Sequence, residues 1–197
     1  ADFELFDAQL DRIEAEFGGF LEKLDWVSLG GGIHFTGEGY PLDRLADRLK
    51  AFSERFGVQV FLEPGEASIT RSTTLEVTVL DTIHHGKDVA IVDSSIEAHM
   101  LDLLIYRETA KLPQEGEHPW QIAGKTCLAG DIFGEGRFPQ PLKVGDRISI
   151  ADAGGYTMVK KNWFNGVPMP AIAIRAEDGT IRQVRRFTYD DYKASLS

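Results

Sequence analysis

The sequence predicts an α/β region followed by a β-rich region, and three observations predict it. Before residue 70, apolar residues recur at helical spacing in two segments, each followed by a short apolar run. Short connections join these segments in the order helix, strand, helix, strand, the sign of a parallel α/β sheet or barrel. Beyond residue 70 the texture changes to short Thr- and Val-rich runs separated by turn residues, which suits a small sandwich or barrel. The expected division is therefore 1–70 and 71–197.

The first region follows from spacing. Phe3, Phe6, Leu10, Ile13, Phe17, Phe20, Leu21 and Leu24 fall three or four residues apart and make an amphipathic helix. Trp26-Val27-Ser28-Leu29 reads as a buried strand that runs into Gly30-Gly31-Gly32. Pro41 opens a second helix with Leu42, Leu45, Leu49, Phe52 and Phe56 on one face, and Gly57 can end it. Residues 58–62 read as another buried strand, closed by Glu63-Pro64-Gly65. Two strand–helix units cannot close a barrel, and an open parallel sheet leaves its edges unpaired. A complementary N-terminal segment or a second chain is therefore expected.

In the second region, residues 75–83 and 88–92 read as strands about a turn at His85-Gly86-Lys87. Ile148-Ser149-Ile150 alternates apolar and polar, and residues 171–185 form a hairpin turning at Asp178-Gly179. The acidic, glycine-rich residues 130–136 read as a loop. Residues 96–106 fit neither helix nor strand cleanly.

Composition limits the function. The 197 residues carry 31 acidic and 21 basic side chains, a formal net charge of -10. That balance argues against a nucleic-acid partner, which needs clustered Lys and Arg, and suits a cationic substrate. No apolar run reaches the roughly 18 residues of a membrane span. The start, Ala1-Asp2-Phe3-Glu4, has no basic segment of a signal peptide. Cys127 is the single cysteine, so no internal disulfide is expected and a cytoplasmic setting is. His34, His84, His85, His99 and His118 lack metal-ligand spacing, and no metal is expected.

Four motifs carry candidate chemistry. Gly30-Gly31-Gly32 after a strand either cradles an anion with backbone N–H groups or is a flexible turn. Glu63 at the next strand end is placed to bind a protonated ring nitrogen or an amine, or is a solvated loop carboxylate. Cys127, in Thr126-Cys127-Leu128-Ala129-Gly130-Asp131, is a packed thiol or a proton donor. Tyr156, in Asp152-Ala153-Gly154-Gly155-Tyr156, is a phosphate ligand or a packed tyrosine.

The order of these motifs, followed by Phe164-Asn165-Gly166, resembles the alanine-racemase-fold (fold-type III) pyridoxal-phosphate decarboxylases. Residues 26–32 and 63–67, with Asp93-Ser94-Ser95-Ile96-Glu97-Ala98-His99-Met100 and the cysteine motif, are most similar to the carboxynorspermidine/carboxyspermidine decarboxylases. The resemblance implies the C-terminal part of a (β/α)8 barrel followed by a β domain, a homodimer, and pyridoxal phosphate as cofactor. It implies that Gly30, Gly31, Gly32, Gly65 and Tyr156 hold the cofactor and that Glu63 pairs with its ring nitrogen. Cys127 would cross a dimer interface and return a proton to the carbon that loses carbon dioxide. Glu66, Asp102, Asp131 and His34 would face the cationic polyamine.

Two departures bear on substrate. Glu66 stands where relatives place a phosphate-binding Arg, and Leu128 follows the cysteine where relatives carry an acid. The cofactor lysine of the family lies far upstream of the glycine loop, whereas Lys23, which falls in the helical pattern, is the only lysine before Gly30. The expected function is decarboxylation of carboxynorspermidine or carboxyspermidine in polyamine synthesis. The alternatives are a diaminopimelate- or arginine-type decarboxylase, or a non-catalytic regulatory homologue.

Overall fold

Phe3, Phe6 and Leu10 share one helical face, and burying that face against a second amphipathic helix organises the first third of the chain. The computed structural model describes residues 3–196. The chain divides into two units, one running to Thr70 and one starting at Arg71.

The first unit contains α1 (Phe3–Leu21), β1 (Trp26–Ser28), α2 (Leu42–Phe56), β2 (Gln59–Phe61) and α3 (Glu66–Ile69). β1 and β2 are parallel, with Trp26, Val27 and Ser28 opposite Gln59, Val60 and Phe61. The core joins Phe3, Phe6, Leu10 and Leu21 to Leu45, Phe52, Phe56 and Val58. α2 stops at Gly57, whose left-handed backbone (φ 67) directs its N–H onto the carbonyl of Ser53. Along α1 and α2, Arg48 donates to Asp7 at 2.5 Å, Glu14 at 2.6 Å and Asp11 at 2.9 Å. Burial opposes the Arg48 charge, but its hydrogen bonds to Glu14 and Asp7 win and raise its pKa.

Burial corrects the expectations here. The two strands are not buried: Trp26 is 60% exposed and Phe61 45%, meeting edge to face with ring centroids 6.0 Å apart. A two-stranded pair has too few neighbours to cover both faces, which parallel sheets require. Phe17 and Phe20 share the helical spacing yet are exposed, whereas Leu21 at the end of α1 joins the core. Lys23 lies in the turn after α1, not inside the helix.

The second unit contains β3 (Leu75–His84), β4 (Asp88–Val92), α4 (Ile96–His99), α5 (Leu101–Tyr106), β5 (His118–Ala123), β6 (Ile132–Phe138), β7 (Arg147–Ile150), α6 (Gly155–Lys160), a 3-10 turn (Phe164–Gly166), β8 (Ile172–Arg175), β9 (Ile181–Arg185) and α7 (Tyr189–Ala194). Five strands form one sheet in the order β6-β5-β4-β3-β7, and β8-β9 is a separate hairpin turning through Gly179 at φ 83. Only β4 and β5 are parallel; the other neighbours are antiparallel. β3 pairs with β7 through residues 75–78 and with β4 from Val79 onward, with a register break between Val79 and Asp81. Such a bulge bends the strand and curls the sheet over its core of Val77, Val92, Ile122, Phe133, Ile148 and Ile150.

Residues 130–136 are not one loop: β6 begins at Ile132. Its glycines answer to close neighbours rather than to turns. A Cβ on Gly136 would lie 3.0 Å from the Phe138 ring and 3.2 Å from Leu112, and one on Gly134 3.2 Å from Thr109. β5 was invisible to patterning because Pro119 interrupts the signal, although Trp120 and Ile122 alternate inward. Residues 96–106 are two short helices that break at Met100 (φ -138), the first capped by Ser95 Oγ accepting from Ala98 N.

Candidate active site

In the first unit the parallel register brings two strand ends side by side, because Ser28 and Phe61 are partners. The loops that leave them stay zipped: Leu29 N donates to Phe61 O at 3.0 Å and Glu63 N to Gly30 O at 2.8 Å. Ser28 Oγ donates to Glu63 Oε1 at 2.6 Å and accepts from Gly30 N at 3.2 Å. One hydroxyl therefore ties the carboxylate to the glycine loop. Each glycine has a geometric reason. Gly30 and Gly32 are left-handed (φ 72 and 81), and a Cβ on Gly31 would sit 2.4 Å from the carbonyl oxygen of Glu63.

Gly65 precedes α3, and its carbonyl accepts from Ser68 Oγ at 2.7 Å. Glu66 is the first residue of α3 and half-buried. Thr36 Oγ1 donates to Ala67 O at 2.7 Å, fastening the segment beyond the glycines to α3. His34 is exposed, and its backbone carbonyl closes a turn with Gly37 N.

In the second unit Cys127 is exposed on the loop between β5 and β6. Asp131 fixes that loop. Its Oδ1 accepts from Ile96 N at 2.8 Å, and its Oδ2 from Thr126 N at 3.1 Å and Thr126 Oγ1 at 2.5 Å. Asp131 is buried, and a Cβ on Gly124 would collide with its carboxylate. This corrects the substrate-facing expectation for Asp131: both oxygens are spent within the chain, and the residue is a loop clamp.

Asn165, at the left-handed centre of the 3-10 turn (φ 53), donates from Nδ2 to Cys127 Sγ at 3.2 Å. Asp102 lies in the first turn of α5 and accepts from Thr157 Oγ1 of α6 at 2.6 Å. Its other oxygen is buried with no partner among the described residues, an acceptor left for a donor. Tyr156 precedes Thr157 on α6 and is half-exposed, with Lys160 Nζ 4.5 Å from its ring.

Ser28 and Thr157 were missed as supporting residues, since a lone hydroxyl carries no spacing signal. His99 belongs to the motif of residues 93–100, and its spacing from the other histidines does not suit a metal. It is buried in α4 with Nδ1 2.7 Å from Ser94 Oγ. Burial lowers its pKa from 6.5 to about 4, partly offset by the Pro168 carbonyl, so the ring is neutral near pH 7. No group of three metal-ligating side chains occurs among the described residues, and no described helix is long and apolar enough to cross a membrane.

The arrangement matches a known family. The model of the pyridoxal-dependent decarboxylase C-terminal sheet domain covers residues 24–154. The chain belongs to that decarboxylase family. It is 64% identical to the carboxynorspermidine/carboxyspermidine decarboxylase of Herminiimonas arsenicoxydans, over all of this chain and 54% of that protein. It is 37% identical to the carboxyaminopropylagmatine decarboxylase of a Synechocystis species, over all of this chain and 52% of that one. The crystal structure of carboxynorspermidine decarboxylase from Campylobacter jejuni, complexed with norspermidine, matches with a TM-score of 0.92 at 36% identity. That match covers 99% of this chain and 57% of that one. The chain thus spans about half the length of the curated relatives it matches.

The residues present fit the decarboxylase family's cofactor. Gly31 and Gly32 are exposed with no Cβ to block an anion, and the neighbouring Glu63 carboxylate, held by Ser28, is an acceptor suited to a protonated ring nitrogen.

Proposed function

We propose that this chain forms part of a pyridoxal-phosphate enzyme that decarboxylates carboxynorspermidine or carboxyspermidine to the corresponding polyamine. One observation carries the proposal: the Glu63 carboxylate, fixed by Ser28 against the triple-glycine loop, stands at a strand end in a chain 64% identical to an enzyme of that name. When bound, pyridoxal phosphate supplies an electron sink for the pair released with carbon dioxide. Gly31, Gly32, Gly65 and Tyr156 hold its phosphate end by backbone N–H and phenol donors, and Gly30, whose N–H is taken by Ser28 Oγ, shapes the loop around it through its left-handed backbone. Glu63 keeps the ring nitrogen protonated, and Ser28 orients Glu63. Cys127 gives its proton to the carbon that has lost the carboxylate. Glu66, Asp102 and His34 offer acceptors to the distal amines of the substrate. The lysine that anchors the cofactor belongs to the part of the relatives upstream of this chain. A two-fold homodimer, with Cys127 entering the neighbour's site, completes each centre in the cytoplasm.

The test is turnover by the full-length enzyme with carboxynorspermidine, carboxyspermidine, carboxyaminopropylagmatine and diaminopimelate, in wild type and Cys127→Ala. The expected result is a preference for the first two and a loss of about 10²–10⁴-fold in Cys127→Ala with cofactor still bound. Preference for either of the other substrates overturns the assignment, and a Cys127→Ala enzyme of normal turnover removes the proton-donor role.

A further inference from the structure

We infer that Asn165 is a positioning residue for the Cys127 thiol: its side-chain amide donates to Sγ and stabilises the negative charge that the sulfur acquires when its proton leaves. The inference rests on the proton-donor reading of Cys127. Phe164-Asn165-Gly166 belongs to the motif order of the chain but has no part in the proposed reaction above.

The geometry supplies the part. Asn165 Nδ2 lies 3.2 Å from Cys127 Sγ although the residues are 38 positions apart. Each comes from a segment anchored on its own account. The cysteine loop hangs on the buried Asp131 carboxylate. The Asn165 turn hangs on Asn162, whose backbone N–H donates to Ala98 O at 2.7 Å and whose Nδ2 donates to Glu97 O at 3.0 Å. Asn162 Oδ1 in turn accepts from Phe164 N at 2.7 Å. Two anchored segments therefore meet at a polar contact, the arrangement in which a hydrogen bond fixes direction without large ordering cost. An N–H donor to sulfur strengthens as charge develops there, so it favours the step in which the thiol gives up its proton. Both groups lie on one chain, so the amide accompanies the thiol into whichever cofactor site the loop enters.

The left-handed backbone at Asn165 permits a clean test, because glycine and aspartate tolerate it. Asn165→Gly removes the donor. Asn165→Asp keeps the shape and sets a carboxylate against the sulfur. In the full-length enzyme, alkylation of Cys127 by iodoacetamide is followed against pH by the mass of the Cys127 peptide, with kcat and KM measured in parallel. At neutral pH, alkylation is expected to be about tenfold slower in Asn165→Asp and several-fold slower in Asn165→Gly, with the alkaline plateau unchanged. kcat is expected to fall with KM nearly constant. Alkylation curves of both variants that superimpose on wild type, while Cys127→Ala still abolishes turnover, overturn this inference alone. Normal turnover of Cys127→Ala overturns the proton-donor reading, and the inference with it.

Discussion

One missing Cβ separates the glycine loop from an ordinary strand-to-helix turn. At Gly31 a methyl group would stand 2.4 Å from the Glu63 carbonyl, so the two loops must part to admit it. Gly31→Ala is expected to weaken pyridoxal phosphate binding about tenfold or more in a cofactor titration, through displacement of Glu63. Gly65 makes the contrast. Nothing lies within 4 Å of a Cβ there, so Gly65→Ala is expected to leave thermal stability unchanged. Loss of cofactor affinity in that variant then reports direct approach of the ligand. His99 carries a pH signature. Its pKa is 6.5 unfolded and about 4 in the buried site, so between those values the unfolded chain binds the extra proton. The His99 contribution is fully present above about pH 6.5 and is lost as pH falls toward 4. At 1.36 kcal/mol per pH unit it amounts to about 3 kcal/mol. Denaturant unfolding of wild type and His99→Gln, compared at pH 7 and pH 5, checks it: the variant is expected to lose less stability on acidification.

At the scale of elements, α1 and α2 are held by charge as well as by apolar contact. The Arg48 side chain is 17% exposed and that of its partner Glu14 is 10% exposed, so their attraction is weakly screened. Removing the cation leaves Asp7, Asp11 and Glu14 along one face of α1 without their shared partner. Arg48→Met is expected to cost about 2–3 kcal/mol, between the ranges for surface and buried pairs. Arg12→Met, whose partner Glu16 is 57% exposed and lies one turn away, is expected to cost well under 1 kcal/mol and serves as the control. Both helices were legible because their burial pattern repeats every three or four residues. β3, β4 and β7 were legible because alternate residues face the core. β6 was hidden because Gly134 lies against Thr109 and Gly136 against Leu112 and the Phe138 ring of its own strand, and glycine in isolation reads as a turn. β5 was hidden behind Pro119.

At the scale of the whole chain, the net charge of -10 that these 197 residues contribute sets a field that favours cations. For a polyamine substrate, kcat/KM is expected to fall several-fold as ionic strength rises from about 0.02 M to about 0.3 M, chiefly through KM. A zwitterionic substrate of little net charge is expected to show a much flatter salt response. Equal salt slopes for the two would mean that the charge serves solubility alone.

The sequence by itself determined the change from α/β to β near residue 70, the amphipathic faces of α1 and α2, and the motif order that marks a pyridoxal-dependent decarboxylase. Those features are local: a periodicity, or a motif of a few residues. The tertiary structure decided what each polar side chain does. It turned Asp131 inward as the clamp of the cysteine loop, set Ser28 on Glu63, and brought the Asn165 amide to the Cys127 sulfur across 38 positions. A carboxylate, a hydroxyl and an amide have the same valence wherever they stand in a sequence. Which donors and acceptors they meet depends on segments far along the chain, and only the fold brings those together.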